Sequence, residues 1–472
     1  MRFRWDQPFP PEYEMPTPPP AWLYVAIFFL LLCIFAGGTV LTWPQGQPVD
    51  SRGFLRTALL LPVLLSMAVG FGIFIVGYDL PAHEAAVKNS VRWELLKEWR
   101  RMVRIRNAVL DSTILAPEPE LAERMLKLEG SPPHNPGRVM RLEDVVARDD
   151  QSRRHVMLEK LLAPLVPKLT EAVGSESFEV VLQCDDEEPS GDVQAAWRQL
   201  GLPGAPRIRR IGNDTDPEVA YHWFEDESHP YLDRTPKYRL VLAWHLHDAV
   251  PDTPQTASEA AVALLLGLPR LMQEKPDTKR QGWLMHQLVS EADQVDKSLQ
   301  LLLRAEQVSP KQIRHFWYSR LKGLAQHSTL GAVRDAGIEV EQHALDPAIG
   351  PQAPVARWLL AALAAKMAHF GQGAQLVALP HERGVILNLV VREPDQPPMP
   401  WKEEYEFRLG PFYEFLFCVA LWTFILLAGP DKTWGTFQTV ATVAVVTVFL
   451  LSAGWRLFSI RAYSDDVWNK YG

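Results

Sequence analysis

Three cysteines in 472 residues exclude a disulfide framework and a thiolate metal site, and two of them, Cys33 and Cys418, fall inside apolar runs. The chain lacks a Gly-x-x-x-x-Gly-Lys phosphate loop and a Gly-x-Ser-x-Gly elbow. Gly371-Gln372-Gly373 is followed by Ala374 and Gln375, without the third glycine of a dinucleotide fingerprint. Nucleotide-driven and serine-hydrolase chemistry therefore lose their main support, and the Gly371 turn reads as a helix C-cap that enters a strand. Excess cation is missing too. Lys+Arg number 48 against 56 Asp+Glu, a net charge of -8, which argues against a nucleic-acid partner.

What is present is apolar sequence gathered near the two ends. Residues 21–43 carry no charge and are long enough to cross a hydrocarbon core of about 30 Å; residues 57–78 follow as a second span, with Pro62 as a kink and Ser66/Gly70 as a close-contact face. Residues 412–429 and 434–455 repeat the pattern, with Glu414 toward the inner interface. Trp22, Trp43, Tyr78, Trp434 and Trp455 stand at span ends, where amphipathic rings favour the headgroup region. The length of the first block and the second span behind it argue against a cleaved signal peptide. Intramembrane charges and broken helices are too few for a transport path.

The cations give the orientation. Lys88, Arg92, Lys97, Arg100, Arg101 and Arg104 follow the second span, Arg2 and Arg4 lie in the leader, and Arg456, Arg461 and Lys470 in the tail; the two short loops hold Arg52, Arg56 and Lys432. Positive-inside reasoning puts both termini and the middle of the chain in the cytoplasm; a bacterial inner membrane is the expected setting, which the charge pattern itself does not name. The same six residues, Lys88 to Arg104, read as a membrane-surface contact with anionic lipid headgroups. The expected layout is a Pro-rich leader (1–20), a transmembrane hairpin (21–78), a juxtamembrane basic helix and linker (79–137), a cytoplasmic α/β domain (138–410), a second hairpin (411–456) and a cytoplasmic tail (457–472).

Within the middle, periodicity predicts a helix over 84–106, a loop or boundary near 130–140, and a helix over 151–172 bent at Pro164 and Pro167. Strands are expected at 178–184, 207–211 and 238–247, and helices at 192–200 and 258–266. A helical polar stretch over 283–324 follows. Its first part (283–304) aligns Leu284, Leu288, Val295, Leu299 and Leu302 as a core stripe, with a docking face as the alternative. Trp223, Phe224, Trp317 and Tyr318 suit either role. A helix over 354–370 and strands at 374–379 and 384–391, joined by a turn containing Pro380, complete an α/β layered domain.

Residues 238–266 (YRLVLAWHLH…TASEAAVALLL) and 349–391 resemble parts of thiolase-like proteins such as the β-ketoacyl synthases. That resemblance implies a thiolase-like fold, whose chemistry needs an acylated cysteine at a helix start with partner histidines or a lysine. Cys184 is the one candidate, and Asp185, Asp186, Glu187 and Glu188 directly behind it oppose thiolate formation. The resemblance thus implies the fold without its reaction. The leader from Phe9 to Pro16, the span behind it and the Trp43–Pro48 segment resemble inner-membrane proteins encoded beside type VI secretion effector genes, which implies a role in effector handling or protection.

Two further patterns carry candidate chemistry. His245 and His247, at i,i+2 on a strand, place both imidazoles on one face as a metal pair requires, with His222 or His229 as a third ligand; ordinary hydrogen-bonded histidines are the alternative. The acidic runs 185–188 and 225–227 read as solvated faces rather than acid–base or divalent-cation sites. The sequence-based expectation is a protein with no catalytic residue, cofactor or metal, partnered by membrane lipids and by a secreted effector or secretion component. The alternatives are an immunity protein against a membrane-active toxin and a membrane-bound enzyme on acyl or lipid substrates.

Overall fold

The computed structural model describes residues 4–49, 51–148, 151–174, 178–184, 189–211, 236–247, 255–429 and 434–471. Both acidic runs and His222, Trp223, Phe224 and His229 lie outside them. The chain forms two compact units, Met1–Trp99 with Met399–Gly472, and Arg100–Pro398.

In the first unit, α1 (Ala21–Thr42) and α2 (Arg52–Val103) are long and apolar enough to cross a membrane. Pro62 has no N–H to give and its ring crowds the preceding turn. α2 absorbs this by widening to a π-helical turn over Arg56–Leu60, where the sequence predicts a kink. Gly70 is the close-contact point: a Cβ there would lie 3.3 Å from the Tyr24 ring of α1. α2 runs without a break into the basic segment, as expected for 84–106, and ends at Val103.

The second unit is built on one mixed sheet. In chain order its elements are β1 (Arg106–Leu115), α3 (Arg153–Leu162), α4 (Val166–Val173), β2 (Phe178–Gln183), α5 (Pro189–Gln199), β3 (Ile208–Ile211), β4 (Tyr238–His245), β5 (Ala260–Gly267), β6 (Gly282–Met285), β7 (Leu288–Glu291), α6 (Val295–Arg304), β8 (Ile313–Tyr318), α7 (Gly323–Asp335), β9 (Glu341–Ala344), α8 (Ala356–His369), β10 (Ala374–His381) and β11 (Gly384–Val391). The strands run β3-β2-β4-β5-β1-β6-β11-β10-β8-β9, and β7 pairs with β11. Pairing is parallel at both flanks, β3-β2-β4 and β10-β8-β9, and antiparallel through the middle. α8 is buried almost all round, as its unbroken Ala/Leu run demands, and packs against β5, β1, β6 and β10. The turn Ala163–Leu165 between α3 and α4 falls at Pro164, where the bend was expected.

Four expectations are corrected. Residues 258–266 are not a helix. Ala260–Gly267 is a central strand, hydrogen-bonded to β4 on one edge and β1 on the other, with every residue buried. Ala and Leu favour helices, but eight apolar residues buried on both faces suit an interior strand equally well. Residues 283–304 are not one helix either: β6 and β7 occupy the first half and the helix starts at Val295. All five stripe residues are nevertheless core. Gly282 marks the close strand approach, because a Cβ there would sit 2.8 Å from the Val391 carbonyl oxygen of β11. Pro380 lies inside β10 opposite Val385, not in the turn. β1, in the stretch expected to be juxtamembrane helix and linker, joins β5 to β6 in the centre of the sheet.

The chain closes with α9 (Phe412–Ala428) and α10 (Thr436–Tyr471), back in the first unit. α10 is the third helix long and apolar enough to span; α9, at 17 residues, is at the short end of what a bilayer core requires. α9 packs against both α2 and α10. Glu414 has its carboxylate 3.0 Å from Nε of the buried Arg456, which also pairs with Asp79.

Candidate functional site

The polar centre of the second unit is Glu259, one residue before β5 and fully buried. α3 starts at Arg153, capped by the Ser152 hydroxyl accepting from the His155 N–H. Its guanidinium grips the Glu259 carboxylate with two hydrogen bonds, of 2.5 and 2.6 Å. The Leu142 and His247 backbone N–H groups donate to the same carboxylate at 2.7 and 2.8 Å. Burial alone would push this acid up. The Arg153 hydrogen bonds, the two backbone donors and the Arg153 charge outweigh it and hold the carboxyl below its ordinary value.

This cluster shapes a neighbouring cleft. The Met140 N–H donates to the Ser258 hydroxyl at 3.0 Å, and the Glu259 N–H to the Met140 carbonyl at 2.9 Å, so the segment around 138–145 is strapped to the start of β5. Gly350 passes beneath at φ +83, where a Cβ would fall 2.2 Å from the Arg138 carbonyl oxygen. Between them lies an open cleft of about 950 Å³ lined by Glu118, His134, Arg138, Met140, Arg141 and Arg153 among others. Arg138 and Arg141 are exposed along it. Its charged lining combines the guanidinium groups of Arg138, Arg141 and Arg153 with the carboxylates of Glu118 and Glu143.

The predicted histidine pair is here, but does not converge. His247 lies beyond the end of β4. Its Nε2 donates to the Ala257 carbonyl at 2.8 Å and its Nδ1 faces Glu259 at 3.5 Å, while the His245 ring stands nearly perpendicular with its centroid 6.0 Å away. His247 therefore makes ordinary hydrogen bonds. Cys184 is buried at the exit of β2.

The cations assigned to the membrane surface are largely engaged inside the protein. Lys88 pairs with Glu84 at 2.7 Å and approaches Asp466 at 3.8 Å; Arg92 donates to the Pro10 carbonyl at 2.9 Å; Lys97 lies 4.7 Å over the Trp93 ring. Arg100 and Arg104 reach Glu306 at 3.6 and 3.9 Å. Arg101 is solvent-exposed.

Sequence reasoning missed a second cluster. Parallel pairing sets His315 opposite Glu341 and Trp317 opposite His343, so all four side chains share one face of the β8–β9 edge. His315 Nδ1 and His343 Nε2 are 3.0 Å apart, and one ring nitrogen of each histidine lies within 4.8 Å of a Glu341 carboxylate oxygen. Burial lowers both histidines, His343 to about 4 with His315 adding to the effect. The available signal was the i,i+2 spacing of His315/Trp317 and Glu341/His343, but nothing in the sequence aligns two strands 26 residues apart.

No protein-family model and no curated protein sequence matches the chain. Among solved structures, the chain is similar to the type II polyketide synthase ketosynthase complex AntDE:AntF at 12% identity and TM-score 0.45, covering 61% of this chain and 99% of that one. It is similar to the ketosynthase from module 6 of the bacillaene synthase of Bacillus subtilis 168 at 12% identity and TM-score 0.44, covering 70% and 77%. It is also similar to Xanthomonas campestris OleA at 11% identity and TM-score 0.36, covering 61% and 98%.

Proposed function

We propose that this chain is a non-enzymatic integral protein of a bacterial inner membrane that works by binding protein, as an adaptor or accessory factor for a secreted effector. Its four apolar helices form two membrane hairpins, and its termini and α/β domain, thiolase-like in layout, face the cytoplasm. The observation that carries the reading is the Glu259 cluster. Its polar groups are committed to hydrogen bonds that hold a wall in place, and that wall displays Arg138 and Arg141 along an open cleft. Such a surface suits an acidic, extended segment of a protein partner. The type VI setting comes from the resemblance of the leader.

The test is recovery of the tagged full chain from membranes in mild detergent. A specific protein should come with it, and Arg138→Glu with Arg141→Glu should reduce that recovery at least about tenfold, as loss of charge-complementary contacts does. Recovery of the bare chain alone, or a partner indifferent to both reversals, overturns the reading. An immunity role would instead show as self-intoxication on gene deletion even with secretion disabled. An acyl-transfer role would show as loss of function in Cys184→Ala.

A further inference from the structure

We propose that His315, His343 and Glu341 form a binding site for a divalent transition metal, with zinc the best match to two imidazoles and one carboxylate. The argument is geometric. Two nitrogen ligands at about 2.0–2.1 Å from a tetrahedral zinc stand about 3.3 Å apart, and His315 Nδ1 and His343 Nε2 are already 3.0 Å apart. A Glu341 carboxylate oxygen lies within 4.8 Å of a ligand nitrogen of each histidine and supplies the third protein ligand as it closes on the metal. Water fills the fourth position.

The surroundings hold this arrangement. The Met125 backbone carbonyl hydrogen-bonds His343, which keeps a proton on that side of the ring and turns the lone pair toward His315. The Trp317 ring lies against His343 at a centroid distance of 4.7 Å, and its own Nε1 donates to Gln375 Oε1 at 2.8 Å, so the covering indole is itself fixed. Without metal the His315 Nδ1–H donates to His343 Nε2, and loading moves that proton to His315 Nε2, with no net proton release from either imidazole. Without metal, the two rings hydrogen-bond to each other and Lys127 takes Glu341 at 3.2 Å. Lys127 is therefore a competitor for the third ligand, and a metal here fastens the edge strand β9 to β8.

The experiment uses the full chain in detergent, stripped with chelator and titrated with zinc by calorimetry, and with cobalt(II) by visible absorption. One site per chain is expected, with cobalt bands of a tetrahedral nitrogen/oxygen centre. His315→Ala and His343→Ala should each weaken binding at least about tenfold, while His327→Ala, an exposed histidine of α7, should leave it unchanged. Lys127→Ala should tighten binding and Glu341→Gln weaken it. No zinc binding, or binding that survives both histidine substitutions, overturns the proposal. Where the histidine variants fail to fold, the two surface substitutions decide: opposite shifts support the site, and no shift in either overturns it.

Discussion

At the scale of single residues, burial decides which histidines can hold a proton. His286, between β6 and β7, is buried and its Nδ1 hydrogen-bonds the Met102 carbonyl at 3.0 Å; burial pushes it down from 6.5 to about 4. In the unfolded chain the same group titrates near 6.5, so between these values the unfolded state binds more protons than the folded one. Its contribution is whole above about pH 6.5, falls as pH drops toward about 4 and levels off below. The full shift corresponds to at most about 3 kcal/mol. Thermal unfolding of the solubilised chain should move to lower temperature between pH 7 and 4.5, and His286→Gln, which can still donate to Met102, should make that slope shallower. An unchanged slope would mean that His286 is not the proton acceptor. Sequence periodicity does not single out this residue, because it falls inside a stretch expected to be helical, where a polar position reads as solvent-facing.

At the scale of elements, the strand β5 shows where periodicity fails. Leu264 and Leu265 point to opposite faces of the sheet, yet each is at most 1% exposed. A surface helix would have buried one flank and spared the other. Leu264→Ala and Leu265→Ala should therefore each cost about 2–5 kcal/mol, the range for emptying a packed leucine site, read as comparable losses in denaturant midpoint. A near-neutral result at either position would contradict burial on both faces. The same physics explains what was legible. Phe178–Gln183 and Tyr238–His245 are rich in β-branched and aromatic residues between polar breaks, and they read as strands from sequence. α8 is long enough for its helical pattern to be unambiguous. The candidate sites were legible in part. His247 sits at its strand exit as expected, but its partner Glu259 was hidden in a segment taken for a helix, and the His315–His343 pair depends on a parallel register that local sequence does not encode.

At the scale of the whole molecule, the proposed orientation depends on cations, and the structure changes their weights. Arg456 counts as a tail cation by position, but Asp79 and Glu414 neutralise it inside the first unit, where its side chain is 2% exposed. An ion pair of this kind contributes to bundle integrity, since removal of one partner from a buried pair costs about 3–5 kcal/mol, and little to positive-inside bias. The bias then rests on the remaining juxtamembrane and tail cations. Protease added outside spheroplasts should leave residues 138–410 intact, and inside-out vesicles should lose them. Arg456→Met should keep that pattern while lowering the temperature at which the solubilised chain unfolds, and adding Glu414→Leu and Asp79→Leu should restore part of the loss by removing the stranded carboxylates. Digestion of 138–410 from the outside would reverse the topology and with it the cytoplasmic adaptor; an Arg456→Met chain that inverts would show that this buried guanidinium directs insertion after all.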